Sequence, residues 1–148
     1  MKKIHFNEAL ALILQDDARY HQAAYHFVRE GLDFTIQKLE KPVEGPGRHV
    51  SGQELLIGLR DYAIQEYGPL ARRVLAHWGI TRCEDFGEMV FNLVNAGVLG
   101  KTENDQKADF TGGYDFEDAF VSPFVPVRTR EQPSSPAVRR GLPIERTP

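Results

Sequence analysis

The sequence predicts a mainly α-helical fold of about five helices, and three observations carry that prediction. Helix start and stop signals recur three times between Ser51 and Gly100. Apolar residues recur at i, i+3, i+4 and i+7 through most of the first hundred residues. The face Tyr20, Ala23, Ala24, Phe27, Val28, Gly31, Phe34, Thr35 and Leu39 sustains that period through one long segment.

The central stretch organises the chain. Ser51-Gly52-Gln53-Glu54 is a capping box, in which the Ser51 hydroxyl accepts from the Glu54 amide and the Glu54 carboxylate returns to the Ser51 amide. Leu55, Leu56, Leu59, Tyr62, Ala63 and Tyr67 then give one continuous apolar face. Gly68 suits the left-handed position after the last turn, and Pro69 the first position of a second helix. That helix should bury Leu70, Val74, Leu75 and Trp78, with Trp78 at the junction of the central helices, and Gly79 should end it. Thr81-Arg82-Cys83-Glu84 suits a second capping box, opening a third helix with Phe86, Met89, Val90, Leu93 and Val94 inward. Gly97 closes it, and Val98-Leu99 reads as a short strand.

Two helices joined by a short glycine turn outline a helix-turn-helix. The run LVNAGVLGK resembles the point where a winged-helix domain leaves its recognition helix for its wing. One departure accompanies the likeness. With Gly79 as the turn glycine, the inward positions of the next helix fall on Asp85 and Glu88, whereas the apolar residues Phe86 and Met89 lie one later. Either the turn is a residue longer or the motif is not the DNA-binding form.

Upstream, Asn7 suits the cap of a short helix reaching about Gln15, and Asp16-Asp17 the cap of a longer one. The inward face of the longer helix would be Tyr20, Ala23, Ala24, Phe27, Val28, Gly31, Phe34, Thr35 and Leu39. The run Pro42 to Gly47 breaks the pattern as a surface loop. Downstream, Thr102–Asp105 suits either one helical turn or the tip of a small hairpin, and Gly112-Gly113 a turn. Phe110, Tyr114, Phe116 and Phe120 are too many aromatics for a free linker and should pack back on the helices. Residues 1–120 therefore read as a single helical domain. Residues 121–148 hold six of the nine prolines and five arginines with no helical period, and read as an extended, flexible tail.

Composition bounds the function. A chain of 148 residues with 41% hydrophobic and 26% charged residues is ordinary for a globular protein. The single cysteine, Cys83, forms no intrachain disulfide, so a reducing cytoplasm is the expected compartment. The apolar run from Ala9 to Leu14 is too short for a signal-peptide core or a membrane span, and no membrane partner is expected. Residues 1–120 carry 13 Lys+Arg against 19 Asp+Glu, and residues 121–148 carry 5 Arg against 2 Glu. An acidic body repels phosphate, which counts against nucleic acid as the main partner.

The chemistry-bearing residues each have a plain alternative. Asp17 and His21 would share a helix face, as a carboxylate orienting an imidazole does, or be a helix-start acid beside a surface histidine. His21 and His26, five apart, diverge on a helix. His49, His77 and Cys83 lack paired zinc-ligand spacing. Cys83 falls in a first turn, where a thiolate is stabilised, or is an inert turn residue. Asp115, Glu117 and Asp118 offer oxygen ligands without the regular calcium-loop spacing. No cofactor or metal site is assigned.

Arg48, Arg60, Arg72 and Arg73 are the basic candidates of the body. The would-be recognition helix instead opens on Arg82 followed by Glu84, Asp85 and Glu88, a charge order unfavourable against phosphate. The residues singled out for interaction are Arg72, Arg73, Arg82, Tyr114 and Phe116, with Arg128, Arg130, Arg139 and Arg140 in the tail.

The runs RYHQAAYHFVREGLDFT, RHVSGQELLIGLRDYA and HWGITRCEDFGEMVFNLVNAGVLGKTENDQKADFTGGYDFEDAF together resemble a small uncharacterised bacterial family, a conserved-hypothetical group of planctomycetes and verrucomicrobia. The resemblance covers about residues 16–120 and implies no catalytic residue. The leading expectation is a non-enzymatic intracellular module that binds another protein. A winged-helix-like DNA-binding regulator is second, and a small enzyme using Asp17/His21 or the carboxylates of 115–118 is third.

Overall fold

The computed structural model describes residues 5–42 and 44–126. The described chain is mainly helical, with no strand among the described residues. In chain order the α-helices are α1 (Phe6–Asp16), α2 (Gln22–Lys38), α3 (Gly52–Tyr67), α4 (Ala71–His77), α5 (Cys83–Asn95) and the short α6 (Phe116–Phe120). Single 3-10 turns stand at Pro46–Arg48, Gly68–Leu70, Lys107–Phe110 and Ser122–Phe124. No helix among the described residues is long and apolar enough to cross a membrane.

The Ser51–Glu54 capping box opens α3 as its sequence requires, with Glu54 N donating to Ser51 Oγ at 3.1 Å and Ser51 N to Glu54 Oε1 at 3.0 Å. The two earlier helices start elsewhere than the sequence suggested. His5 and not Asn7 precedes α1, which runs on to Asp16. Its neighbour α2 begins at Gln22, capped by His21, whose Nδ1 accepts from Ala23 N at 2.9 Å. Asp17 is drawn away from any capping role by Arg19 and Asn92.

Three helices end in the same Schellman closure. At the end of α4, Gly79 N donates to Ala76 O and Ile80 N to Leu75 O, with Gly79 at φ +98° and Ile80 fully buried. Any side chain at Gly79 would strike the carbonyl of Arg19, so this turn also seats the chain that leads into α2. At the end of α5, Gly97 N donates to Val94 O and Val98 N to Leu93 O. Val98 is thus the residue that closes the helix and does not begin a strand, and the expected β element and wing are absent from the described residues. In α2 the left-handed position falls on Glu40, at φ +56°.

The core sits where α2, α3 and α5 meet, with Phe27, Val28, Leu59, Ala63, Phe86, Met89 and Leu93 all buried. Two glycines let α2 and α3 approach closely, Gly31 against Leu59 and Gly58 against Thr35. Phe110 lies over Gly52 and Gly87, joining the 107–110 turn to α3 and α5. Phe116 and Phe120 seal the end next to α4, so the downstream aromatics do pack back on the helices. The second central helix departs from expectation. Pro69 starts a 3-10 turn ahead of α4, Leu70 is 56% exposed and Trp78 is only partly buried. Leu39, expected inward, is also exposed.

Of the stretch read as a tail, Ser122–Phe124 form a 3-10 turn that packs against α6. Residues 127–148, with Arg128, Arg130, Arg139 and Arg140, lie outside the described residues.

Candidate interaction surface

The would-be recognition helix is a core helix. Cys83, Phe86, Gly87, Met89 and Leu93 of α5 are all buried, and the polar residues at its start are spent internally. Asp85 accepts the amides of Thr81 and Arg82 and the hydroxyl of Tyr20. Glu84 accepts Gly112 N at 3.2 Å, and Glu88 pairs with Arg19 and Lys107, each at 3.2 Å. The segment between α4 and α5 runs from Trp78 to Arg82. Within it Ile80 is fully buried, and Phe86 and Met89 of α5 are buried with it.

Three of the arginines singled out from sequence lie among the described residues. Arg72 pairs with Glu117 of α6, Arg73 is exposed on α4, and Arg82 is exposed at the start of α5. Phe116 is a core residue at 4% exposure, its ring 4.9 Å from Phe120 and 6.1 Å from Phe86, so it is not a surface contact. Tyr114 is a lock: its hydroxyl donates to Leu56 O at 2.7 Å. It also walls an open groove of about 330 Å³ between α3 and residues 108–114, with the half-exposed Ile57 on the other lip.

The chemistry candidates resolve into structural roles. Asp17 and His21 do not share a helix face, because both precede α2. Arg19 grips Asp17 through both carboxylate oxygens, at 2.9 and 2.7 Å. Cys83 is buried, its Sγ donates to Tyr114 O at 3.3 Å, and burial pushes the thiol up, so no thiolate is stabilised. His49 Nε2 lies 2.9 Å from Asp105 Oδ2, within ion-pair distance. The cleft beside that pair has a volume of about 40 Å³, room for little more than a water molecule. Asp115 caps α6 by accepting Glu117 N and Asp118 N. Among the described residues, no three His, Cys, Asp or Glu side chains come together to hold a metal.

The surface that stands out is aromatic. Phe34 of α2, Tyr62 and Tyr67 of α3 and Trp78 beyond α4 are each partly exposed. Tyr62, Tyr67 and Trp78 gather around the buried ring of Phe27, and Phe34 joins them through Tyr62. Phe34 lies 5.2 Å from Tyr62, and Tyr62 lies 5.4 Å from Phe27. Trp78 lies 5.7 Å from Phe27 and meets Tyr67 edge-on at 5.9 Å. Two exposed carboxylates border the row. Glu30 accepts the Tyr62 hydroxyl at 3.0 Å, and Glu66 adjoins Tyr67. Among the described residues neither is in an ion pair. Burial first, then Glu30 by hydrogen bond and charge, and then the charge of Glu66 push the Tyr62 phenol up to about 12. Tyr67 is raised by burial and by the same two carboxylates, so both acids act on both phenols.

Sequence reasoning placed all four rings on inward stripes and so missed this face. A usable signal is present: Glu30 lies one helical turn before Phe34, and Glu66 directly precedes Tyr67. Comparison of the chain with protein-family models, curated proteins and solved structures finds no match.

Proposed function

We propose that the chain is a non-enzymatic, cytoplasmic protein-binding module that engages its partner through the Phe34–Tyr62–Tyr67–Trp78 face. The observation that carries this reading is the row of partly exposed Tyr, Trp and Phe rings spanning three helices. Such rings dominate the centres of protein interfaces, because they bury large area while losing little conformational freedom. The rings are held by one another and by Phe27, so little ordering cost remains on binding. The acid-led start of α5 weighs against duplex DNA as the ligand. The small cleft at His49 and the inert environment of Cys83 weigh against an enzyme. The likeness to the planctomycete and verrucomicrobial group is kept as part of the proposal and adds no activity to it.

Quantitative affinity capture with the full chain and a Phe34→Ser/Tyr67→Ser variant tests the reading. Proteins held by the native chain should be lost at least about tenfold with the variant, the effect of removing one interface anchor of 1.4 kcal/mol or more. Circular dichroism checks that the variant still folds. Undiminished capture by a folded variant would refute the reading.

A further inference from the structure

We infer that the aromatic face takes an arginine-bearing peptide segment of a partner protein, with guanidinium groups seated between the rings and the carboxylates of Glu30 and Glu66. This inference rests on the protein-binding reading and names the chemistry of its partner.

Three observations support it. Tyr and Trp rings present a negative π-face, which attracts a cation placed above it. The two bordering carboxylates are exposed and have no basic partner among the described residues, while Asp17, Asp61, Glu54 and Glu88 are all already paired within the fold. Glu30 accepts the Tyr62 hydroxyl at 3.0 Å and Glu66 directly precedes Tyr67, so a carboxylate stands beside each tyrosine, and the charge of both acids helps to raise both phenols. A guanidinium suits that combination better than an ammonium, because it is planar, stacks on rings and can bond a carboxylate through two N–H groups at once. The protein already uses the same contact elsewhere: the Arg29 guanidinium lies 4.7 Å above the Phe6 ring and that of Arg19 5.2 Å above Tyr20.

Trp78 is the only tryptophan, so its fluorescence reports on this face without a label. The full chain is titrated with a short synthetic peptide carrying paired arginines and free of Trp and Tyr. Trp78 emission should change saturably. The lysine version of the peptide should bind more weakly, and a glutamine version should not bind. Glu30→Gln and Glu66→Gln should each weaken binding about two- to fivefold, as loss of one exposed charge contact of 0.5–1 kcal/mol does. Glu8→Gln/Glu103→Gln, exposed acids on α1 and in the 101–105 turn, should leave it unchanged.

No saturable change, or equal weakening by the Glu8/Glu103 pair, overturns the inference. So does binding seen only after deletion of residues 127–148, which would mean that the chain's own arginines hold the face. Emission that shifts on dilution alone would assign the face to a second copy and overturn it as well. The two ideas fail separately. Captured proteins lost with Phe34→Ser/Tyr67→Ser but kept with Glu30→Gln/Glu66→Gln would sink the arginine inference and leave the protein-binding reading standing.

Discussion

The Tyr20 hydroxyl donates to Asp85 Oδ1 at 2.6 Å, joining the chain ahead of α2 to the start of α5. Tyr20 is 2% exposed, and the other oxygen of Asp85 takes the Thr81 and Arg82 amides at 2.9 and 3.2 Å. One carboxylate therefore caps α5 and satisfies a buried phenol. Asp85→Ala removes the cap and orphans the hydroxyl, and should cost about 2–3 kcal/mol in urea unfolding. Tyr20→Phe removes only the one bond and should cost about 0.5–1.5 kcal/mol. Equal losses for the two would mean that the capping role is negligible.

Gly58 sets the approach of α3 to α2. A Cβ there would fall 1.7 Å from Thr35 Oγ1, a buried hydroxyl that already donates to Gly31 O at 2.7 Å. In an exposed helix Gly→Ala gains about 1 kcal/mol. Here the clash must force the helices apart, so Gly58→Ala should lose about 1–3 kcal/mol net. Thermal unfolding followed by circular dichroism reads the sign, and a stabilised variant would show that the α2–α3 contact yields freely.

Asp17 carries a pH dependence. The Arg19 guanidinium, gripping both oxygens, holds its carboxyl well below the usual carboxylate range, and Asn92 adds to this. The folded value is lower than the unfolded one, so the stabilisation is complete above the unfolded pKa of about 3.9 and is lost as pH falls below it. Arg19 is 55% exposed, so the contribution is that of a surface pair, about 0.5–1 kcal/mol. Asp17→Asn should therefore lower stability by that amount at pH 7 and by clearly less at pH 2, where the unfolded carboxyl is protonated and the folded one is still partly ionised. Urea titrations at the two pH values check it, and a loss as large at pH 2 as at pH 7 would remove the charge from the explanation.

The helical class and the α3 box were legible because their signals are local. The Ser51–Glu54 pair and the glycines at 79 and 97 act within one turn of chain. Legibility failed where a distant residue outbid a local one. Asp17 reads as a cap, but Arg19 and Asn92 hold it, and His21 caps instead. Val98-Leu99 reads as a strand because β-propensity does not register the hydrogen bond from Val98 N to Leu93 O. The aromatic face was hidden by a different limit. Helical periodicity tells which side of a helix faces its neighbours, but not which ring lies at the edge of that side. Phe27 and Tyr67 belong to equally apolar stripes, yet only Phe27 is enclosed.

The proposed function has the chain recognising protein, with α5 serving the core and not reading DNA. Fluorescence anisotropy with labelled random-sequence duplex tests it, using residues 1–126, which contain the buried core of the described residues, at two salt concentrations. The account predicts a dissociation constant weaker than about 100 µM near physiological salt, at the feeble end of non-specific binding. Micromolar binding by residues 1–126 that falls steeply as salt is added would contradict it.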